Sequence, residues 1–244
     1  RAIISHCSVL FFNVLGTSHV SSKLQTYKGK NQSLIISNLL ETYYALKKLS
    51  NKKINLSQII ELWNDAKKFK EDCLVAFRLG FLSLEERAYA EELTRACAQE
   101  IANNINNDEI KHPDLFEITE TLASTYYANL SIFKSIPDSW AINQIFPTVP
   151  IHRHLEEPIY KGNFADITCD SDGKLNSFID NGKIKSLLNL HEPKQNEDYL
   201  IGIFMTGAYQ EALGNLHNLF GNTNVVHIDI NQDNSYKVKN IIKE

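Results

Sequence analysis

The alternation of apolar and polar positions changes period twice along the chain. From Ala2 to Val20 the residues are mostly Ile, Val, Leu and Phe, broken by Ser and His, and Gly16 closes the densest part. That composition predicts one long buried strand. A polar stretch from Ser21 to Gln32, rich in Ser, Lys and Gly, leads into a helical period. Leu34, Leu39, Leu40, Tyr43, Leu46 and Leu49 give an amphipathic helix over Ser33 to Leu49, with Lys47 and Lys48 in the last turn where cations suit the helix dipole. Asn55, with Gln58 three positions on, caps a second helix whose apolar stripe is Ile59, Leu62, Ala66, Phe69, Cys73 and Phe77, and Gly80 ends it. Ser83-Leu-Glu-Glu86 is a capping box for a third, running through Ala88, Leu93, Cys97 and Ile101 to the breakers Asn103 to Asn107. Pro113 and Asp114 open a shorter fourth towards Ala123.

After Ala123 the period returns to two. Strands are expected over Tyr126 to Ile136, Phe146 to His152, Ile159 to Thr168, Ser186 to Leu190, Leu200 to Tyr209, Val225 to Ile230 and Tyr236 to Ile242. Many short strands flanking one helical block predict an α+β fold, a β-barrel or sandwich interrupted by an inserted four-helix bundle. The expected divisions are residues 1–32 for the first part of the β-domain, 33–123 for the bundle and 124–244 for the remainder.

Bulk properties narrow the function. The 25 Lys and Arg against 29 Asp and Glu leave a net charge of −4, with no basic block dense enough to follow a phosphate backbone, so nucleic acid is not expected as a partner. Cys7, Cys73, Cys97 and Cys169 lie far apart with no C-x-x-C pair, which disfavours zinc and a disulfide framework and fits a reducing, cytoplasmic home. The longest apolar runs, Val9 to Gly16 and Leu200 to Ala208, fall short of the roughly 20 residues that cross a bilayer. The chain begins at Arg1 directly before a strand pattern and closes on an alternating one, so both edges read as cuts in a longer sequence.

Two segments carry candidate chemistry. In Ala165-Asp-Ile-Thr-Cys-Asp-Ser-Asp-Gly-Lys174 an apolar strand delivers a thiol, two carboxylates and a glycine turn to one strand end. A lone Cys169 is more often a small buried hydrophobe, and Asp-Ser-Asp-Gly is ordinary turn chemistry. The same loop imitates the start of a calcium loop but lacks the third acidic ligand and the closing glutamate. In Leu200-Ile-Gly-Ile-Phe-Met-Thr-Gly-Ala-Tyr209, small residues precede a tyrosine hydroxyl and a short helix start, a place for a phosphate or simply tight strand packing.

Several strings, Leu79 to Ala88, Pro137 to Ile142, Pro150-Ile-His-Arg153, Asp166 to Lys174, Gly207-Ala-Tyr-Gln-Glu211 and Leu216-His-Asn-Leu-Phe-Gly221, resemble the bacterial biosynthetic arginine decarboxylases of the alanine-racemase-fold group. The resemblance implies a C-terminal β-domain interrupted by a helical bundle, an upstream barrel bearing the lysine that attaches pyridoxal 5'-phosphate, and homodimers or higher homo-oligomers whose sites are shared between subunits. It implies decarboxylation of L-arginine to agmatine for putrescine and spermidine synthesis. Cys169 would return a proton to the α-carbon after carbon dioxide departs, and Asp170 and Asp172 would meet the guanidinium. Tyr209 and Arg1 would contact the cofactor phosphate. Magnesium is implied too, with no ligand set identifiable among His6, His152, His154, His217, His227, Glu156, Glu157 and Asp166. Since the attachment lysine lies upstream, no independent catalysis is expected of this chain. Two alternatives are an inactive assembly or regulatory relative, and a decarboxylase of another basic amino acid such as ornithine, lysine or diaminopimelate.

Overall fold

The computed structural model describes residues 8–19, 24, 33–49, 55–105, 112–170, 172–218 and 220–244. The chain forms two compact units, one of His19–Ala123 and one of Arg1–Ser18 with Ser124–Glu244.

The first of these is helical. Helices α1 (Leu34–Leu49), α2 (Leu56–Arg78) and α3 (Leu84–Asn104) are followed by a 3-10 turn, Pro113–Leu115, and a short α4, Phe116–Thr121. Their buried positions recur every three or four residues: Ile36, Leu39, Tyr43 and Leu46 on α1, Ile59, Trp63, Ala66 and Cys73 on α2, and Ala90, Leu93, Cys97 and Ile101 on α3. These stripes meet, with Leu115 and Ile118, in one core. The caps are chemical. Asn55 Oδ1 accepts the Ser57 N–H at 3.0 Å, and Ser83 and Glu86 exchange side-chain-to-backbone bonds at 3.2 and 2.9 Å. The expected fourth helix is cut short: a 3-10 turn at Pro113 takes its first residues, and six residues of α4 remain.

The other unit is built on β1 (Ser8–Ser18), β2 (Ser124–Ala128), β3 (Thr148–Pro150), β4 (Tyr160–Ala165), β5 (Lys174–Leu175), β8 (Leu188–Leu190) and β9 (Leu200–Thr206), seven strands in the order β3-β9-β1-β2-β4-β5 with β8 also on β4. Between β5 and β8 lies a hairpin of β6 (Phe178–Asp180) and β7 (Lys183–Lys185). Among the described residues no pairing joins the two ends of that order, so the expected barrel is present as an open sheet. The residues of β1 exchange partners near Asn13. Up to Asn13 they pair antiparallel with β9, and from Val14 with β2. Asn13 secures the crossing: its Oδ1 accepts the Tyr199 N–H at 3.0 Å, and its own N–H donates to Asn129 Oδ1 at 2.7 Å. Inward aromatic rings, Phe12, Tyr126, Phe164, Phe178 and Tyr199, fill the core, with Phe12 and Phe164 edge to face at 5.1 Å.

Two strand expectations are corrected. The segment Tyr126 to Ile136 leaves the sheet after Ala128 and forms helix α5 (Ile132–Ser135), then α6 (Pro137–Ala141). Ser131 Oγ caps α5 by accepting the Lys134 N–H, and the buried Asp166 carboxylate accepts the Ile132 N–H. The apolar run there is helix packing, not a strand. Likewise Leu200 to Tyr209 is strand only to Thr206; Gly207 turns the chain into α7 (Ala208–Leu213), so Tyr209 is helical. At the far end β10 (Val225–Ile230) and β11 (Tyr236–Ile242) pair, among the described residues, only with each other.

Candidate active site

The loop between β4 and β5 is organised around one carboxylate. Asp166 is 7% exposed. Its Oδ1 accepts the Thr168 N–H at 3.0 Å and the Thr168 hydroxyl at 2.7 Å, while Oδ2 accepts the Ile132 N–H at 2.9 Å. Thr168 Oγ1 then receives the Asp170 N–H at 3.4 Å, and the loop closes through Asp166 N–H to the Gly173 carbonyl at 2.8 Å. Gly173 lies so close to Asp166 that a β-carbon there would overlap its carboxylate. These bonds fix the backbone. They leave the Cys169, Asp170 and Asp172 side chains outside, all three residues exposed.

A second loop, after α7, meets the first. Gly214 makes this possible, because a β-carbon there would overlap the Lys134 carbonyl, and Lys134 Nζ donates to the Gly214 carbonyl at 3.1 Å. The chain then runs to a tight turn in which the Phe220 N–H donates to the His217 carbonyl at 3.0 Å and Asn218 takes a left-handed backbone, φ 49°. His217 Nε2 stands 3.1 Å from Asp170 Oδ2. The Asn218 amide stands 3.5 Å from the Cys169 sulfur through Nδ2 and 3.7 Å through Oδ1. On its other side the imidazole rests on Phe133, ring centres 4.6 Å apart, with Nδ1 3.5 Å from Ser131 Oγ.

The structure therefore brings Cys169 and Asp170 together with two residues that sequence reasoning left aside. In the sequence His217 stands only among the histidines that offer no magnesium ligand set, and nothing there singles out Asn218 or, behind the imidazole, Ser131. The signal available was the string Leu216 to Gly221, which carried the resemblance as a block without saying which side chain it aimed at Cys169. Asp172 shares the loop but not the cluster: its carbonyl accepts the Lys174 N–H at 2.7 Å, and its side chain points to solvent. Tyr209, 47% exposed on α7, makes no hydrogen bond to Cys169, Asp170 or His217. Arg1 lies outside the described residues. Among the described residues no group of three or more His, Cys, Asp and Glu is placed to hold a metal ion, so the magnesium expectation finds no ligand set there.

The three described thiols are unpaired. Burial pushes the Cys73 thiol up to about 11, helped by Asp72 and Glu86, and the Cys97 thiol up to about 12. Both are inert core residues, whereas Cys169 is open to solvent.

Comparison with known proteins bears on this arrangement. The family model of the arginine decarboxylase helical bundle domain matches residues 29–119. The biosynthetic arginine decarboxylase of Prochlorococcus marinus strain MIT 9215 is 89% identical over all 244 residues of this chain. Over its full length this chain is similar to part of the biosynthetic arginine decarboxylases. It spans 38% of the length of that relative, and the same share of the strain MIT 9313 enzyme, which is 53% identical. The crystal structure of the Campylobacter jejuni biosynthetic arginine decarboxylase, 30% identical, superposes on 99% of this chain and 37% of its own with a TM-score of 0.72. Both units of this chain are thus reproduced in a solved fold. No helix among the described residues is long and apolar enough to cross a membrane.

Proposed function

We propose that this chain supplies the Cys169–Asp170 edge of an active site that decarboxylates L-arginine to agmatine, within a longer pyridoxal-phosphate enzyme of polyamine synthesis in a reducing, cytoplasmic setting. The observation that carries the proposal is the exposed thiol beside an exposed carboxylate on a loop whose backbone is rigidly bonded.

The residues fit the cofactor in part. An exposed thiol, an adjacent carboxylate and the half-exposed Tyr209 hydroxyl suit the reactive edge and the phosphate of a planar cofactor brought from outside this chain. Its attachment does not fit here: Lys134, beside this cluster, is 7% exposed and committed to the Gly214 carbonyl. The lysine must come from elsewhere in the longer polypeptide or its homo-oligomeric partner. Pyridoxal phosphate, when bound, supplies the electron sink that lets an amino acid lose carbon dioxide.

This chain's residues do the rest. Asp170, with Asp172 behind it in the loop, offers anionic oxygens to the guanidinium, a planar, permanently charged fork that pairs well with a carboxylate. Cys169 holds the proton that replaces the departed carboxyl group at the α-carbon. Tyr209, and Arg1 beside it in role, donate to the phosphate.

The test is kinetic, in the full-length enzyme. Cys169→Ala should lower kcat by about 100-fold, within the usual range for removing a general acid, and yield misprotonated product. Asp170→Asn should raise the arginine KM by about tenfold or more, the usual worth of a charge-assisted hydrogen bond. Unchanged kcat and product for the first, with unchanged KM for the second, would overturn the assignment.

A further inference from the structure

The geometry points to His217 and Asn218 as a pair of positioning residues, His217 setting the carboxylate of Asp170 for the substrate's cationic end and Asn218 setting the thiol of Cys169 for its proton transfer. This rests on the function proposed above and assigns to that site two residues beyond Cys169 and Asp170.

The hydrogen inventory supports one arrangement. Ser131 Oγ already accepts the Lys134 N–H at 3.3 Å as the cap of α5, so its own proton is free to be donated. His217 Nδ1, 3.5 Å away, is the acceptor in reach, which leaves the imidazole proton on Nε2, facing Asp170 Oδ2 at 3.1 Å. Ser131 is 1% exposed and Phe133 holds the ring from one face, so the relay is anchored at its buried end. An imidazole N–H bound this way occupies one lone pair of Oδ2. It leaves Oδ1 and the remaining lone pair for a guanidinium, and keeps the negative charge that such a partner needs.

Asn218 acts on the neighbouring atom. Its Nδ2 lies 3.5 Å from the Cys169 sulfur, a donor aimed at the group that must hold and release a proton. The left-handed backbone at Asn218 turns its amide towards Cys169 while His217, one residue earlier, faces Asp170. Adjacent residues on one loop thus grip adjacent residues on the other. The loop that bears the grip is itself pinned to α5 by the Lys134 contact with Gly214.

Separate roles predict separate kinetic effects in the full-length holoenzyme. His217→Leu should raise the arginine KM by about tenfold, the scale for losing a hydrogen bond to a charged group, with kcat within about threefold. His217→Gln, which keeps a neutral donor at similar reach, should recover most of the KM. Asn218→Gly, chosen because glycine keeps the left-handed backbone, should lower kcat by about tenfold with KM within about twofold. A readout independent of turnover is alkylation of Cys169 by iodoacetamide without cofactor, followed by peptide mass spectrometry: Asn218→Gly should slow it several-fold, and His217→Gln should leave it unchanged. Should Cys169→Ala and Asp170→Asn behave as stated while these variants keep wild-type KM, kcat and alkylation rates, the pairing is wrong and the function stands. If the effects appear exchanged, with His217→Leu lowering only kcat and Asn218→Gly raising only KM, the pairing is also wrong. If Cys169→Ala and Asp170→Asn are themselves silent, both fall together.

Discussion

The Asp166 carboxylate accepts the backbone N–H of Ile132 at 2.9 Å, tying the end of β4 to the first turn of α5. Through this bond the loop bearing Cys169 and the helix bearing the Ser131 cap hold a common position. Asp166→Ala would strand the buried Ile132 N–H and leave the part-buried Thr168 N–H and hydroxyl without their acceptor, at a cost of about 3 kcal/mol. A urea unfolding midpoint close to wild type would show that the carboxylate does not organise this corner.

Gly173 is coupled to the same group. Gly173→Ala forces a β-carbon into the Asp166 carboxylate and should destabilise by about 1–3 kcal/mol, the range for overpacking. In the double variant with Asp166→Ala the overlap is removed, so the combined loss should be smaller than the sum of the two. Strict additivity in a double-mutant cycle would contradict the contact.

A pH dependence follows from Glu156. Hydrogen bonds from Arg153 first, at 2.7 and 3.0 Å, and from Lys194, at 3.0 Å, hold its carboxyl down to about 2 from the ordinary 4.5. The folded value lies below the unfolded one, so the stabilisation is complete above about 4.5 and is lost as pH falls through about 2. The stability difference between wild type and Glu156→Gln should be constant near neutrality, shrink below about 4.5 and close near 2. Thermal melts of the two proteins across that window provide the measurement; a difference independent of pH would place the effect elsewhere.

Thiol accessibility separates the cysteines. Cys73 and Cys97, each at most 1% exposed and with raised thiol values, should resist iodoacetamide in the folded protein, while Cys169 reacts. In urea all three should label alike. Peptide mapping that finds Cys97 modified before Cys169 under native conditions would be incompatible with the bundle core.

The β10–β11 ribbon should be the loosest regular structure. Val226 faces Ile241, Ile228 faces Val238 and Ile230 faces Tyr236, and all six are between 45% and 75% exposed, so this apolar face has no second layer among the described residues. Two strands alone are marginal in water. Amides of 225–230 and 236–242 should exchange far faster than those of β1 and β9; equal protection would mean that the face is covered in solution.

What could be read from the sequence was what neighbours along the chain decide. Helix period, the Asn55 cap, the Ser83–Glu86 box and the alternation of β10 and β11 each depend on a few adjacent residues, and the helices and that ribbon fall where the pattern puts them. The Asn181-Gly182 turn between β6 and β7, with both residues at positive φ, is just as local, an Asn-Gly pair that suits a two-residue hairpin.

Long-range contacts escaped. The run after Tyr126 carries apolar residues that suit a strand, yet it becomes α5 because Asp166, far along the chain, satisfies the Ile132 N–H. Likewise the sequence supplied Cys169 and Asp170 and the string around His217, but their meeting depends on the sheet that aims one loop and on the Gly214 contact that aims the other. Local propensity is written residue by residue. A pairing between two loops is fixed only when the strands and helices beneath them have packed, and that is why the tertiary structure alone decided which side chains stand beside the thiol.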